Sequence, residues 1–201
     1  DQEQTVSVNL ITGEPVDDAA WARTQGFRER QVVTIDPGKA IFTQAVTSVP
    51  PAGQEVDQGT FTLPLTANDR ASLLAPWLPG RGWASDGTQW LRLQFVAEPQ
   101  FDNRLFSYAF TGPETFRYQG GGGEALAAVA PEQFTSDSRR LTDLDVTFEV
   151  PATDASGTLL CRPVGTLHAN YRGMAPLPAE FVGEAPAVRF AVALTPEQPP
   201  Q

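Results

Sequence analysis

The sequence predicts an all-β protein, an antiparallel β-sandwich or jelly roll with one to three short helical turns. Two observations carry that expectation. Short apolar runs with a period of two recur along the chain, the mark of strands with one buried face. Gly (17) and Pro (18) punctuate those runs, a spacing that suits many strands and turns better than long helices. At 201 residues the chain is long enough for one domain with a substantial core. It is read as a single unit, 1–201, with an N-terminal arm (1–4), a Pro-rich C-terminal tail (195–201) and a possible hinge at 119–124.

The organising stretch is Thr88 to Phe110. Leu91, Leu93 and Phe95 alternate with Trp90, Arg92 and Gln94, and Glu98 to Asn103 breaks the run with Pro, Asp and Asn. The expectation is an antiparallel central pair, Thr88–Ala97 against Arg104–Phe110.

From the N-terminus, Thr5 to Ile11 alternates Val6, Val8 and Leu10 with Ser7 and Asn9, a half-buried strand ended by Thr12-Gly13-Glu14-Pro15. Asp17 to Arg23 fits one helical turn, its acids near the N-terminus where they suit the dipole. Gln31–Ile35 and Ala40–Val49 are expected to form a hairpin about Asp36-Pro37-Gly38-Lys39, because Pro presets φ and Gly accepts positive φ. Gly59 to Thr66 turns Phe61, Leu63 and Leu65 inward. Pro64 lacks an N–H, which predicts an edge or bulged strand.

Asn68 to Leu74 reads as a short helix capped by Asn68 or Asp69, followed by a loop from Pro76 to Thr88. After the central pair, Thr115–Tyr118 adds a short strand. Gly120 to Gly123 is a flexible point, and Glu124–Val129 has helix formers with Pro131 soon after. Leu144, Val146, Phe148 and Val150 alternate cleanly. Asp154-Ala155-Ser156-Gly157 turns the chain into Thr158–Arg162, with Thr166–Tyr171 as its expected partner. Val188, Phe190, Val192 and Leu194 make the last strand. About ten strands result.

Charge narrows the partners. A net charge of -10 argues against nucleic acid, whose affinity comes mainly from cations meeting phosphates, and against an anionic membrane. The longest apolar run, Ala125 to Ala130, is far below the roughly 20 residues a membrane span needs, so no membrane insertion is expected. The chain begins at Asp1 rather than Met, which leaves export after removal of a leader open. Cys161 is the only cysteine, which excludes an intrachain disulfide.

Reactive equipment is scarce. His168 is the only histidine, so a structural zinc site is excluded by count, and any nucleophile–His arrangement would have to recruit it. No Gly-x-Ser-x-Gly elbow occurs, and the glycines at 120–123 are not followed by the Lys-Ser or Lys-Thr of a phosphate loop. No cofactor is expected. Calcium is the one ion the oxygens could serve, through Asp143 with Asp145 or Asp102 with Asn103.

Trp77, Trp83 and Trp90 fall within 14 residues, spaced by Pro, Gly, Ser and Asp. Flat rings there would stack on sugar faces or anchor a protein, or else cap one end of the core. With Arg92 they form the candidate binding set, and the strand pattern turns Trp90 away from the main core. The leading expectation is a non-enzymatic subunit of an extracellular, cell-surface or virion assembly, using edge strands and terminal arms to contact copies of itself or partner proteins. A carbohydrate-binding module using the Trp loop is the alternative, and a secreted hydrolase with paired carboxylates the third.

Overall fold

A computed structural model describes residues 31–121, 123, 125–135 and 142–196. The strand expected at 5–11, the helical turn at 17–23, the arm at 1–4 and the tail beyond residue 196 lie outside the described residues, as do positions 122 and 124 of the expected hinge.

The chain is a β-sandwich of two antiparallel layers. The smaller is a five-stranded sheet in the order β1 (Gln31–Asp36), β17 (Val188–Pro196), β14 (Ser156–Cys161), β10 (Phe116–Gly120), β11 (Ala125–Ala127). The larger is a curled sheet in the order β12 (Gln133–Thr135), β9 (Phe106–Thr111), β15 (Gly165–Ala169), β16 (Leu177–Phe181), β2 (Lys39–Ser48), β3 (Gln58–Ala67), β7 (Thr88–Ala97), β13 (Thr142–Pro151). Two short strands join its middle: β4 (Leu73–Ala75) beside β7 and β8 (Gln100–Phe101) beside β3. A separate hairpin pairs β5 (Trp77–Leu78) with β6 (Gly82–Trp83).

The alternations place the core as expected. Leu91, Leu93 and Phe95 of β7 are fully buried, and so are Val146, Phe148 and Val150 of β13. The two layers meet through aromatic side chains. Phe95 of the curled sheet lies 5.0 Å from Phe190 of the other layer, and Phe148 lies 5.7 Å from Tyr118, ring centre to ring centre. Inside the curl Phe61 is ringed by Phe101, Tyr108, Phe110 and Phe181 at 5.0 to 6.0 Å between ring centres. Tilted and edge-on pairs of this kind add to the area they bury.

Partner choice differs from expectation in several places. The Pro37-Gly38 turn does not close a hairpin: β1 pairs with β17, whereas β2 pairs with β3 and β16. The turn carries the chain from one layer to the other, a corner with the same turn chemistry as a hairpin. The expected central pair is also absent, since β7 lies between β3 and β13 and β9 lies between β12 and β15. The segment between them contains β8, which bonds to β3 instead. Thr166–Tyr171 likewise leaves β14 and crosses to the curled sheet, where β15 pairs with β9 and β16.

Pro64 sits in an interior strand rather than an edge one. β3 meets β8 at Phe61 and Thr62 and β7 from Leu65 onward, so Pro64 falls at the break between two neighbours. Its oxygen accepts from Glu98 N at 3.1 Å, and the missing N–H faces the same break, where no ladder bond is lost.

Two expected helices are strands. At 68–72 the chain makes one turn in which Asn68 O accepts from the N–H of Ala71 and Ser72, then β4 aligns Leu73, Leu74 and Ala75 with Arg92, Leu91 and Trp90. Ser72 Oγ accepts from Gln94 N at 2.9 Å, which holds the turn against β7. The helix formers at 125–127 instead form β11, because the glycine turn returns them to β10 in register. Local propensity is overridden there by pairing. The one helical turn among the described residues, α1 (Gly112–Thr115), has Pro near its start, where a missing N–H does no harm. Seventeen strands among the described residues exceed the expected ten, because two-residue strands such as β5, β6 and β8 leave no period to read.

Candidate functional site

The Trp-rich stretch is a hairpin laid as a flap over the outer face of β7. Gly80 and Gly82 take φ of 78° and 83°, the left-handed region that lets five residues reverse the chain. Arg81 N donates to Leu78 O at 3.1 Å and Ala84 N to Pro76 O at 2.8 Å, closing the hairpin. Trp77 and Trp83 then stand opposite each other.

Three contacts hold the flap down. Trp90 Nε1 donates to Gly82 O at 3.1 Å. The Arg81 guanidinium lies 5.9 Å above the Trp90 ring, within reach of its negative face, and Nη2 donates to Val129 O at 3.0 Å. Glu149 Oε1 accepts from Ser85 N at 2.6 Å and from Thr88 Oγ1 at 2.7 Å. Those two donors hold the Glu149 carboxyl below the usual carboxylate range.

The four candidate residues do not converge on one surface. Trp90 points away from the main core, as the alternation implies, yet it is buried beneath the flap with Leu78. Trp83 is half-buried and Trp77 is 37% exposed. Arg92 stands next to Trp90 on the same face of β7, half-buried, and Nη2 donates to Ala71 O at 3.3 Å. Its Nε is buried with no acceptor among the described residues. Arg92 therefore ties the turn at 68–72 to the sheet, while Trp77 is the one open ring of the set. Arg81 and Glu149, which clamp the flap, carry no sequence signal: one lies between two turn glycines and the other at a polar strand position.

Of the side chains considered for calcium, Asp102 and Asn103 bond the backbone and Asp145 bonds a side chain. Asp102 Oδ1 accepts from Thr60 N at 2.7 Å, which draws that carboxyl below its ordinary value. Asn103 bonds Gln58 O and Leu105 N, and Asp145 accepts from Gln94 Nε2 at 3.0 Å. Asp143 is exposed on β13, two residues from Asp145. Among the described residues no three His, Cys, Asp or Glu side chains come together in a metal-holding group. His168 is half-buried on the outer face of β15, opposite Ser107 and Pro178. Cys161 is fully buried, and burial pushes its thiol well above the range in which it ionises near neutrality.

The other exposed feature is an edge. β1 ends the five-stranded sheet, and no described residue pairs with its outer side. Val33 and Ile35 are buried to 1% and 3% exposure while Thr34 and Asp36 face out. No protein-family model matches this chain, and no curated protein or solved structure does either.

Proposed function

We propose that the chain is a non-enzymatic structural subunit of an extracellular, cell-surface or virion assembly, acting through contacts with copies of itself or with partner proteins. The observation that supports this reading most is the β1 edge. Its six residues hold no Pro, Lys or Gly, and among the described residues one row of its N–H and C=O groups has no partner strand and can pair with another chain. A partner strand added there continues the five-stranded sheet through main-chain bonds. Sedimentation of the purified chain tests it. A particle heavier than the 21.7 kDa monomer is expected, and Thr34→Lys with Asp36→Lys is expected to lower the mass. A monomer throughout the micromolar range overturns the reading.

One observation favours a carbohydrate-binding module as the second reading. Trp77 presents an open ring opposite Trp83, on a flap also carrying exposed Arg81 and Asp86. A ring face beside polar groups fits the apolar face and hydroxyls of a sugar. Glycan titrations that quench tryptophan emission, and lose that response in Trp77→Ala, would support it. A silent glycan panel ends it.

A further inference from the structure

The outer face of β2 and its neighbours differs from the rest of this acidic molecule. Along β2 the outward positions are Lys39, Ile41, Thr43, Ala45 and Thr47, four of them exposed and Thr47 half-buried. Ile41 is 53% exposed in mid-strand, although Phe42 beside it is buried in the core. The flanking strands add small or uncharged side chains. Half-buried Thr62 of β3 aligns with Thr43, while Pro64, which aligns with Ile41, is buried. On the other flank Val182 N donates to Ala45 O at 2.8 Å, and the Val182 side chain is 51% exposed. Along β2 and β16 charge is confined to the two ends. Lys39, the only lysine of the chain, stands at one, and Glu180, aligned with Thr47, stands at the other.

We infer that this face is a twofold interface with a second copy of the chain, placing Lys39 against the partner's Glu180 and Ile41 against the partner's Ala45 and Val182. The register makes the face self-complementary. Lys39 and Thr47 lie four residues either side of Thr43, so a twofold axis across β2 at Thr43 superimposes Lys39 of one copy on the Thr47 and Glu180 end of the other. The same operation sets the large, exposed Ile41 above the small Ala45 and beside Val182. Isologous contacts have this form, residue i meeting j and j meeting i. Sheets packed face to face lie about 10 Å apart with their strands nearly aligned, a gap that the long Lys39 and Glu180 side chains can span.

Charge selects the occupant. Two copies each carrying -10 repel, and they approach most easily through a face whose centre is neutral and whose ends alternate in sign. Glu98 and Asp102, bonded to Pro64 O and Thr60 N through main chain and side chain respectively, stand on the β7 and β8 side, where an interface keeps its polar rim. The patch measures roughly 27 by 15 Å from strand spacing. That is less than a stable dimer buries and suits a weak contact repeated through an assembly.

This inference rests on the assembly reading, and its test separates the two. Sedimentation equilibrium is run up to about 0.2 mM, where weak contacts register, in the edge-blunted Thr34→Lys background. Ile41→Asp is expected to abolish the face-mediated association. Lys39→Glu and Glu180→Lys are each expected to weaken it by about tenfold, and the double reversal to restore it. All these sites are exposed, and unchanged circular dichroism and melting temperature confirm folding. Association unaffected by any of the substitutions, or a double reversal as weak as its single parents, overturns the face while leaving the assembly reading standing. A monomeric chain with its native β1 edge overturns both.

Discussion

At Gly157 the inner face of β14 has room for hydrogen only: a Cβ there would lie 2.4 Å from the Tyr118 ring and 2.7 Å from Gln119 O. Gly120, opposite Gly157 in register, is covered in the same way by the Asp154 carboxylate, 1.9 Å from where its Cβ would stand. Tyr118 and Asp154 thus fill the space that the two glycines leave. Tyr118 Oη and Asp154 Oδ2 are both buried without a hydrogen-bond partner among the described residues. A buried hydroxyl in that state costs about 1 to 3 kcal/mol. Tyr118→Phe is therefore expected to raise stability by about 1 kcal/mol in urea unfolding, and a loss would mean that an acceptor reaches Oη. Burial, with the Asp154 charge adding to it, pushes the phenol up to about 12. A phenol raised in the folded state contributes stability that is complete below about pH 10 and is lost as pH climbs toward 12. Tyr118→Phe should flatten part of that alkaline loss.

The flap is an element whose attachment depends on one carboxylate. Glu149 is held below its ordinary value by donors from Ser85 and Thr88, so its contribution is present above the unfolded value near 4.5 and fades as pH falls through the lower folded one. Acidification through that lowered value should therefore loosen the hairpin ahead of the sandwich. The readout is a red shift of tryptophan emission as Trp90 meets water, while far-ultraviolet circular dichroism holds. Glu149→Gln should give a smaller shift at neutral pH, with a loss of about 0.5 to 1 kcal/mol, because the group is half-exposed. The flap was legible only as a loop rich in Trp, Gly and Pro. Its closure over Trp90 depends on β13 lying beside β7, which brings Glu149 opposite Trp90 from about 60 residues further along the chain.

For the whole molecule, the aromatic interior of the curl is the main source of cohesion. Phe61, fully buried, contacts rings from β2, β8, β9 and the end of β16. Phe61→Ala is expected to cost about 3 to 5 kcal/mol, read as a lower urea midpoint. Cys161 reports global opening, since it is fully buried in the core. Its reaction with a thiol reagent should be negligible in the native state and should follow unfolding of the whole sandwich.

The sequence by itself determined the class, the inward residue of nearly every long strand and the places where the chain turns. Each is a local property: side chains two apart share a face, and Pro, Gly, Asn and Asp act on the residues beside them. Only the tertiary structure decided which strands are neighbours, which layer each joins, and whether an outward residue such as Trp90 meets solvent or a flap. The physical reason is that β1 and β2 both turn apolar residues inward, Val33 and Ile35 in one and Phe42 and Val46 in the other. Their partners are chosen by packing among residues far apart in the chain, which no local period records.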